Sequence, residues 1–336
     1  MTSSPRTFLV VGATGQQGGA VLAALSKLLS SESSGAAATS SPRPKILALT
    51  RSAPDSPKAQ ALASKYPSSL DLTVVQGDTK DPAPIFAAHP GITSVFLYTT
   101  PPGEAAQALP LLDHVFSSSS NSKVQHIVFS SVDRGGDAAS WENPTEIAHF
   151  KSKHEIELRL RDLCNEAQKD QKSSTPKIKY TILRPVAFMD NLNPGSLFGP
   201  VFASMWATMP AERALQVVSV RDIGMFGAKA LLAGPDDAAL GSNRAIGLAG
   251  QELRYEEARE VFRRVGGGGQ REMPQAPWIV GKGVRWAIGE VGTMFRFFEE
   301  TGYGVDIEAL RRKEPELQDL ETWLRESSKF EFDGAA

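Results

Sequence analysis

The chain has 336 residues, 41% of them apolar and 22% charged, with a formal net charge of −2 at neutral pH. That length suffices for a large core, as one α/β domain or as a nucleotide domain with a smaller appendage, and the balanced charge leaves no footprint for direct nucleic-acid binding or an anionic membrane. The lone cysteine, Cys164, excludes an internal disulfide and fits a reducing compartment; with Asp162 and Glu166 close by, it reads as an inert structural thiol.

Met1 to Arg6 runs straight into an apolar stretch and leaves no room for a signal peptide, and no apolar run approaches the roughly 20 residues that span a bilayer. The expectation is a soluble chain, cytoplasmic or nuclear as well. Thr7 to Leu25 then reads TFLVVGATGQQGGAVLAAL. A strand, Phe8 to Val11, ends in Gly12-x-x-Gly15-x-x-Gly18, and a helix rich in Ala, Val and Leu follows. Glycine permits a tight turn and lets backbone approach a diphosphate, while the helix aims its unpaired N–H groups and positive dipole end at the anion. Gly12, Ala13, Thr14, Gly15, Gln16, Gln17 and Gly18 are therefore predicted to form a dinucleotide phosphate turn.

The Ser/Ala-rich stretch 30–44 reads as a flexible surface insertion. A second strand, Lys45 to Leu49, ends at Thr50-Arg51. The residue closing this strand faces the adenosine ribose: an acid there suits the 2′-hydroxyl of NAD, an arginine the 2′-phosphate of NADP. Setting the insertion aside, Arg51 falls close to the usual separation of about 20 residues from the glycines, so NADP(H) is expected ahead of NAD(H). A helix is predicted over Pro57 to Tyr66, then a strand from Asp71 to Val75 ending at Gln76-Gly77-Asp78, and a fourth from Thr93 to Tyr98 ending in Thr99-Thr100-Pro101-Pro102. A helix over Glu104 to Phe116 precedes a soft loop, Ser117 to Ser122. Strand five, Gln125 to Phe129, ends at Ser130-Ser131. A polar helix from about Thr145 to Ala167, a linker from Lys169 to Pro176 and strand six, Lys179 to Leu183, complete the alternation.

Strands alternating with helices argue for an α/β fold, a doubly wound, mostly parallel sheet of Rossmann type, with residues 1–186 as the nucleotide domain and 187–336 as a smaller mixed lobe. Ligands of such sheets lie beyond the carboxyl ends of the strands, where Gly12, Arg51, Asp78, Thr99, Ser130 and Ala187 all fall. The second lobe is more aromatic (Met205, Trp206, Trp278, Trp286, Phe295, Phe297, Phe298, Tyr303), as either a substrate wall or a helical core would be. Gly266 to Gly269 reads as a plain flexible turn, and a charged helix over about Asp306 to Ser327 closes the chain. No His/Cys/carboxylate spacing suits zinc, and no GxSxG nucleophile elbow is present.

His149 and Lys153 stand four apart on the predicted polar helix and share a face. The spacing resembles the Tyr-x-x-x-Lys of tyrosine-dependent short-chain dehydrogenases, with His149 in the tyrosine place. His149 is either a proton donor or an ordinary helix histidine, Lys153 either a ribose-holding cation or a solvated one, and Ser131 stands where a substrate-orienting hydroxyl would.

Taken together, GATGQQGG (Gly12–Gly19), LTR (Leu49–Arg51), VVQGD (Val74–Asp78), AHFKSKHEIE (Ala148–Glu157), LRPVAFMDNL (Leu183–Leu192), VSVRDIG (Val218–Gly224) and the DIEALRR…LETWL region resemble the NmrA-like family of atypical short-chain dehydrogenases/reductases, from Phe8 to about Phe330. The resemblance implies NADP(H) held by Gly12 to Gly18 at the pyrophosphate and Arg51 at the 2′-phosphate, with Asp78 and Thr79 by the adenine and Thr99 and Thr100 toward the nicotinamide. It implies Lys153 at the ribose and Ala187, Phe188, Met189 and Asp190 near the nicotinamide. It further implies a redox-sensing, transcription-regulating cofactor sensor that lacks the usual catalytic tyrosine and meets a protein partner, a transcription factor or an enzyme, as monomer or homodimer. The alternative is an NADPH-dependent oxidoreductase of quinones or a secondary metabolite, with Lys153, His149 and Ser131 as its catalytic residues.

Overall fold

The computed structural model describes residues 5–34, 42–66, 70–117, 119–120, 122–169, 177–195, 198–266 and 272–332. In chain order the elements are β1 (Thr7–Val10), α1 (Gln16–Ser34), β2 (Lys45–Thr50), α2 (Pro57–Lys65), β3 (Asp71–Gln76), α3 (Ala83–Ala88), β4 (Ser94–Tyr98), α4 (Glu104–Phe116), β5 (His126–Ser130), α5 (Asp137–Glu142), α6 (Ala148–Lys169) and β6 (Lys179–Pro185). There follow β7 (Ala187–Phe188), a 3-10 turn (Met189–Leu192), α7 (Phe198–Trp206), β8 (Leu215–Val218), α8 (Val220–Ala233), β9 (Arg244–Leu248), β10 (Gln251–Leu253), α9 (Tyr255–Val265), α10 (Trp278–Ala287), α11 (Gly289–Glu300), α12 (Ile307–Lys313) and α13 (Leu320–Glu326).

The main sheet runs β3-β2-β1-β4-β5-β6-β9, and each neighbouring pair from β3 to β6 is parallel. The order reverses between β1 and β4, which is the switch point where α/β sheets of this type open a crevice. Strands covered on both faces must be apolar throughout, and Phe8, Leu9 and Val10 are fully buried, as are Val95, Phe96 and Leu97. The fold is the α/β sheet anticipated from the alternation.

By packing, the chain divides into two units. The first comprises Met1–Ser131, Ser152–Leu183 and Ile223–Ile246. Within it α8 lies tightly on α1: a Cβ on Gly224 would strike the backbone of Ala20, and one on Gly227 would stand 2.9 Å from the Phe96 ring and Val21. Gly224 of the VSVRDIG stretch and Gly227 just after it therefore serve helix packing. Cys164, on α6, is fully buried in this unit.

The second unit comprises Val132–Lys151, Arg184–Asp222 and Gly247–Ala336. It carries a mixed three-stranded sheet, β10 antiparallel to β8 and β7 parallel to it. Its core is aromatic, with Trp206, Trp323, Phe262 and Phe295 almost wholly enclosed. Met205, Phe297 and Phe298 belong to that core too, whereas Trp278 and Trp286 stand out on α10, Trp286 with 89% of its surface exposed. α10 touches α7 through Gly281, whose N–H donates to Ser204 Oγ at 3.1 Å.

Several boundaries differ from expectation for local reasons. The polar helix begins at Ala148, not Thr145, because Thr145 adopts φ +58° and its Oγ1 accepts from Ile147 N instead of continuing the helix. The closing helix is two helices, since Pro315 lacks the N–H that continuation needs. Each piece has its own acidic N-cap, Asp306 accepting from Ala309 N and Asp319 from Thr322 N. α1 extends through Ser34, into the stretch read as a flexible insertion. Residues 35–41, 118, 121, 170–176 and 267–271, which hold most of the predicted soft segments, lie outside the described residues.

Candidate functional site

In the first unit a cleft of about 870 Å³ opens at the carboxyl ends of β1, β2, β3 and β4. Of the predicted residues, Gly12, Thr14, Gly15, Arg51, Asp78, Thr79 and Thr100 line it. The turn is pinned from both sides: Val11 N donates to Phe96 O and Ala13 N to Leu49 O, each at 3.0 Å, and Gly15 N returns to Gly12 O at 2.8 Å. Thr14 Oγ1 meets Thr50 Oγ1 at 3.5 Å, and Thr50 Oγ1 accepts from Ser52 N, which fixes the start of the segment carrying Arg51.

The three glycines have reasons internal to the protein. Gly12 adopts φ +61°, a conformation that disfavours side chains. A Cβ there would stand 2.6 Å from the Tyr98 ring, and one on Gly15 would strike the Tyr98 hydroxyl. Tyr98 closes β4, lies on the turn and donates its O–H to Gly12 O at 3.4 Å. Burial raises the pKa of this phenol, with Arg51 acting in the opposite sense. A Cβ on Gly18 would collide with the carbonyl of Gly12. Gly18 thus lets α1 pack onto its own turn; Ala13, Gln16, Gln17 and Gly18 do not line the cleft.

The cleft's outer rim is cationic. Arg51 is joined by Lys58, from the first turn of α2, and by Lys80. Among the described residues none of the three cations makes an ion pair. Asp78 is occupied locally, accepting from Lys80 N at 3.0 Å and bridging to Asp81. Gln107 ties the far lip, donating to Thr100 O at 2.6 Å and Pro102 O at 3.1 Å. Three cations and a turn with glycine at positions 12 and 15 line a cleft suited to a phosphorylated nucleotide. The donor set fits a phosphorylated dinucleotide; the Tyr98 ring narrows the space over the turn.

Lys153 is buried and does not line this cleft. Its ammonium donates to Thr99 Oγ1 at 3.3 Å and Ser130 O at 3.2 Å, and pairs with Glu104 Oε1 at 3.3 Å. The side chains of Lys153 and Glu104 are only 9% and 1% exposed. Thr99 donates its hydroxyl to Glu104 Oε1 at 3.1 Å, so both charged groups share it. Ser130 and Ser131 are buried, and neither hydroxyl has a hydrogen-bond partner among the described residues. Ser131 does not line the cleft.

The remaining predicted residues belong to the second unit. His149 Nδ1 meets Glu290 Oε1 at 3.1 Å, and the same oxygen accepts from His149 N at 3.2 Å, so Glu290 caps the start of α6. Ala187 and Met189 are core residues there, and Phe188 lies between them in β7. Asp190 Oδ2 accepts from Val220 N at 2.9 Å and anchors the start of α8; burial raises its pKa against that hydrogen bond.

The reversal of strand order after a glycine turn defines a Rossmann-type nucleotide-binding fold. The sequence pattern of the NmrA-like family matches residues 4–324, and the chain belongs to that family. Among solved structures it is similar to NmrA, a negative transcriptional regulator (17% identity over 97% of this chain and 96% of that one, TM-score 0.62). It is likewise similar to the Citrobacter sp. triphenylmethane reductase solved with NADP(H) (17% identity, 95% and 98% covered, TM-score 0.61). A third likeness is to the Escherichia coli NADPH-dependent quinone oxidoreductase solved with NADPH (18% identity, 94% and 96% covered, TM-score 0.58). No curated protein matches the chain by sequence.

Proposed function

We propose that this protein binds NADP(H) in the first unit and acts as a cofactor-sensing regulator, coupling cofactor state to a protein partner in the cytoplasm or nucleus. Support for the cofactor comes from the cleft: a phosphate turn at one side and Arg51, Lys58 and Lys80 at the rim, where NADP carries a phosphate that NAD lacks. NmrA, a negative transcriptional regulator, has been solved with NADP and with NAD.

The observation that carries the regulatory reading is the state of Lys153. A lysine ammonium has three N–H donors. Here at least three acceptors of the protein itself, Glu104, Thr99 and Ser130, surround it. The position four residues earlier holds His149, engaged by Glu290, in place of a tyrosine. When bound, the nicotinamide would supply or take hydride; position 149 offers no tyrosine to move the matching proton, and Lys153 is committed elsewhere. An NADPH-dependent reductase is the second reading, favoured by the likeness to two reductases.

Calorimetric titration with NADPH tests the binding, and NADPH consumption against a panel of quinones and aldehydes tests the role. Micromolar binding with no turnover above background is expected. Turnover abolished by His149→Ala or Lys153→Met would establish the reductase instead.

A further inference from the structure

Glu104 opens α4 directly behind the loop that lips the cleft, and it is among the most deeply buried carboxylates of the first unit. Its Oε1 receives both the Thr99 hydroxyl and the Lys153 ammonium, while its Oε2 accepts no hydrogen bond from a described residue. A buried carboxylate with one oxygen unserved is expensive unless a cation compensates it. The charge of Lys153 therefore has a structural reason to stay on Glu104, and any other acceptor must compete with a full negative charge at short range.

We infer that Glu104 is a positioning residue that withholds Lys153 from the cofactor, so that the ribose on the nicotinamide side gains the lysine only by displacing a carboxylate. The inference rests on the NADP(H) reading and adds to it a determinant of how tightly the nicotinamide half is held relative to the adenosine half. Thr99 and Ser130 O are neutral acceptors and would yield more readily; the carboxylate sets the barrier. Replacing it by an amide keeps the volume and an acceptor but removes the charge, and so lowers the competition.

The test compares two ligands on the full chain by calorimetry: NADPH, and adenosine 2′,5′-bisphosphate, which lacks the nicotinamide half. In Glu104→Gln, NADPH should bind about tenfold more tightly, equivalent to about 1.4 kcal/mol, while the bisphosphate stays within about twofold. In a Lys153→Met background the same substitution should bring no gain. A purely structural role for Glu104 would move both ligands together, and that result, or a gain that survives Lys153→Met, overturns the inference. Should Glu104→Gln not fold, Glu104→Ala, which also removes the charge, is measured in the same way: a selective gain for NADPH supports the inference, parallel shifts reject it. If the unaltered protein binds neither ligand, the NADP(H) reading itself fails and this inference with it.

Discussion

Replacing Arg51 with Ala should weaken NADPH far more than NADH. The guanidinium is exposed at the cleft rim and makes no ion pair among the described residues, so gripping a phosphate would sacrifice no existing partner. A hydrogen bond to a charged group contributes about 1.5–3 kcal/mol. Exposure to water and salt pulls this toward the lower end, since surface charges are screened over about 8 Å at physiological ionic strength. Lys58 and Lys80 remain nearby to hold part of the phosphate charge. The expected loss is therefore about tenfold for NADPH, or ~1.4 kcal/mol, and less than about twofold for NADH, since each kcal/mol of lost contact requires a contact to lose. Arg51→Lys should fall between, keeping the charge without the planar fork. Calorimetry with both cofactors at low and physiological salt measures this. Equal losses for the two, or a loss that does not shrink with added salt, would refute the assignment of Arg51 to the 2′-phosphate.

Other expectations concern the scaffold. Gly18→Ala forces a methyl into the Gly12 carbonyl, backbone that cannot step aside, and should cost about 2–3 kcal/mol in urea unfolding. Gly283→Ala, in α10 with nothing within 4 Å of its added carbon, should instead gain up to about 1 kcal/mol; a loss there would contradict the packing described. His126 is fully buried between strands, its Nε2 2.8 Å from Thr181 Oγ1, whose own hydroxyl donates to Leu240 O. Burial, with help from Arg6 and Lys179, lowers its pKa to about 4, so the folded state resists the proton that the unfolded chain accepts near 6.5. Stability should hold above pH 6.5 and fall as pH drops from there toward 4, by at most about 3 kcal/mol. A His126→Gln variant should lose this limb of the pH profile, and an unchanged slope would exclude His126 as its source. Glu290→Ala uncaps α6 and releases His149, which should lower stability by about 0.5–1 kcal/mol without changing NADPH affinity in calorimetry.

How much of this was legible in the sequence follows from the range of each interaction. The glycine turn, the β2 terminus at Arg51 and the strands from β1 to β6 are local patterns, and they stand where the apolar runs placed them. The reason for the glycines was only partly legible. Gly12 and Gly15 answer to Tyr98, 86 residues from Gly12, and an aromatic at the end of a buried strand looks like any core residue. Lys58 carries no signal in the sequence, because only the cleft reveals that it faces the same hollow as Arg51. Glu104 is only the first residue of a predicted helix in the sequence, and its partner Lys153 lies on another helix. His149 invited a proton-transfer role by spacing alone, while Glu290, 141 residues away, could not be connected to it from the sequence. The break at Pro315 was readable in principle, and the leucine periodicity across it concealed the stop.

Cys164, the one thiol of the chain, is sealed inside the first unit, and burial pushes its pKa up to about 12. Only thiolates react quickly with alkylating reagents, so the native molecule behaves toward maleimides as though it contained no sulfhydryl. The rate of its labelling becomes a clock for opening of the unit around α6, readable without any change to the protein. Conversely, a cysteine placed on an exposed position such as Gly283 would take a fluorophore alone, giving a singly tagged protein from an otherwise native chain.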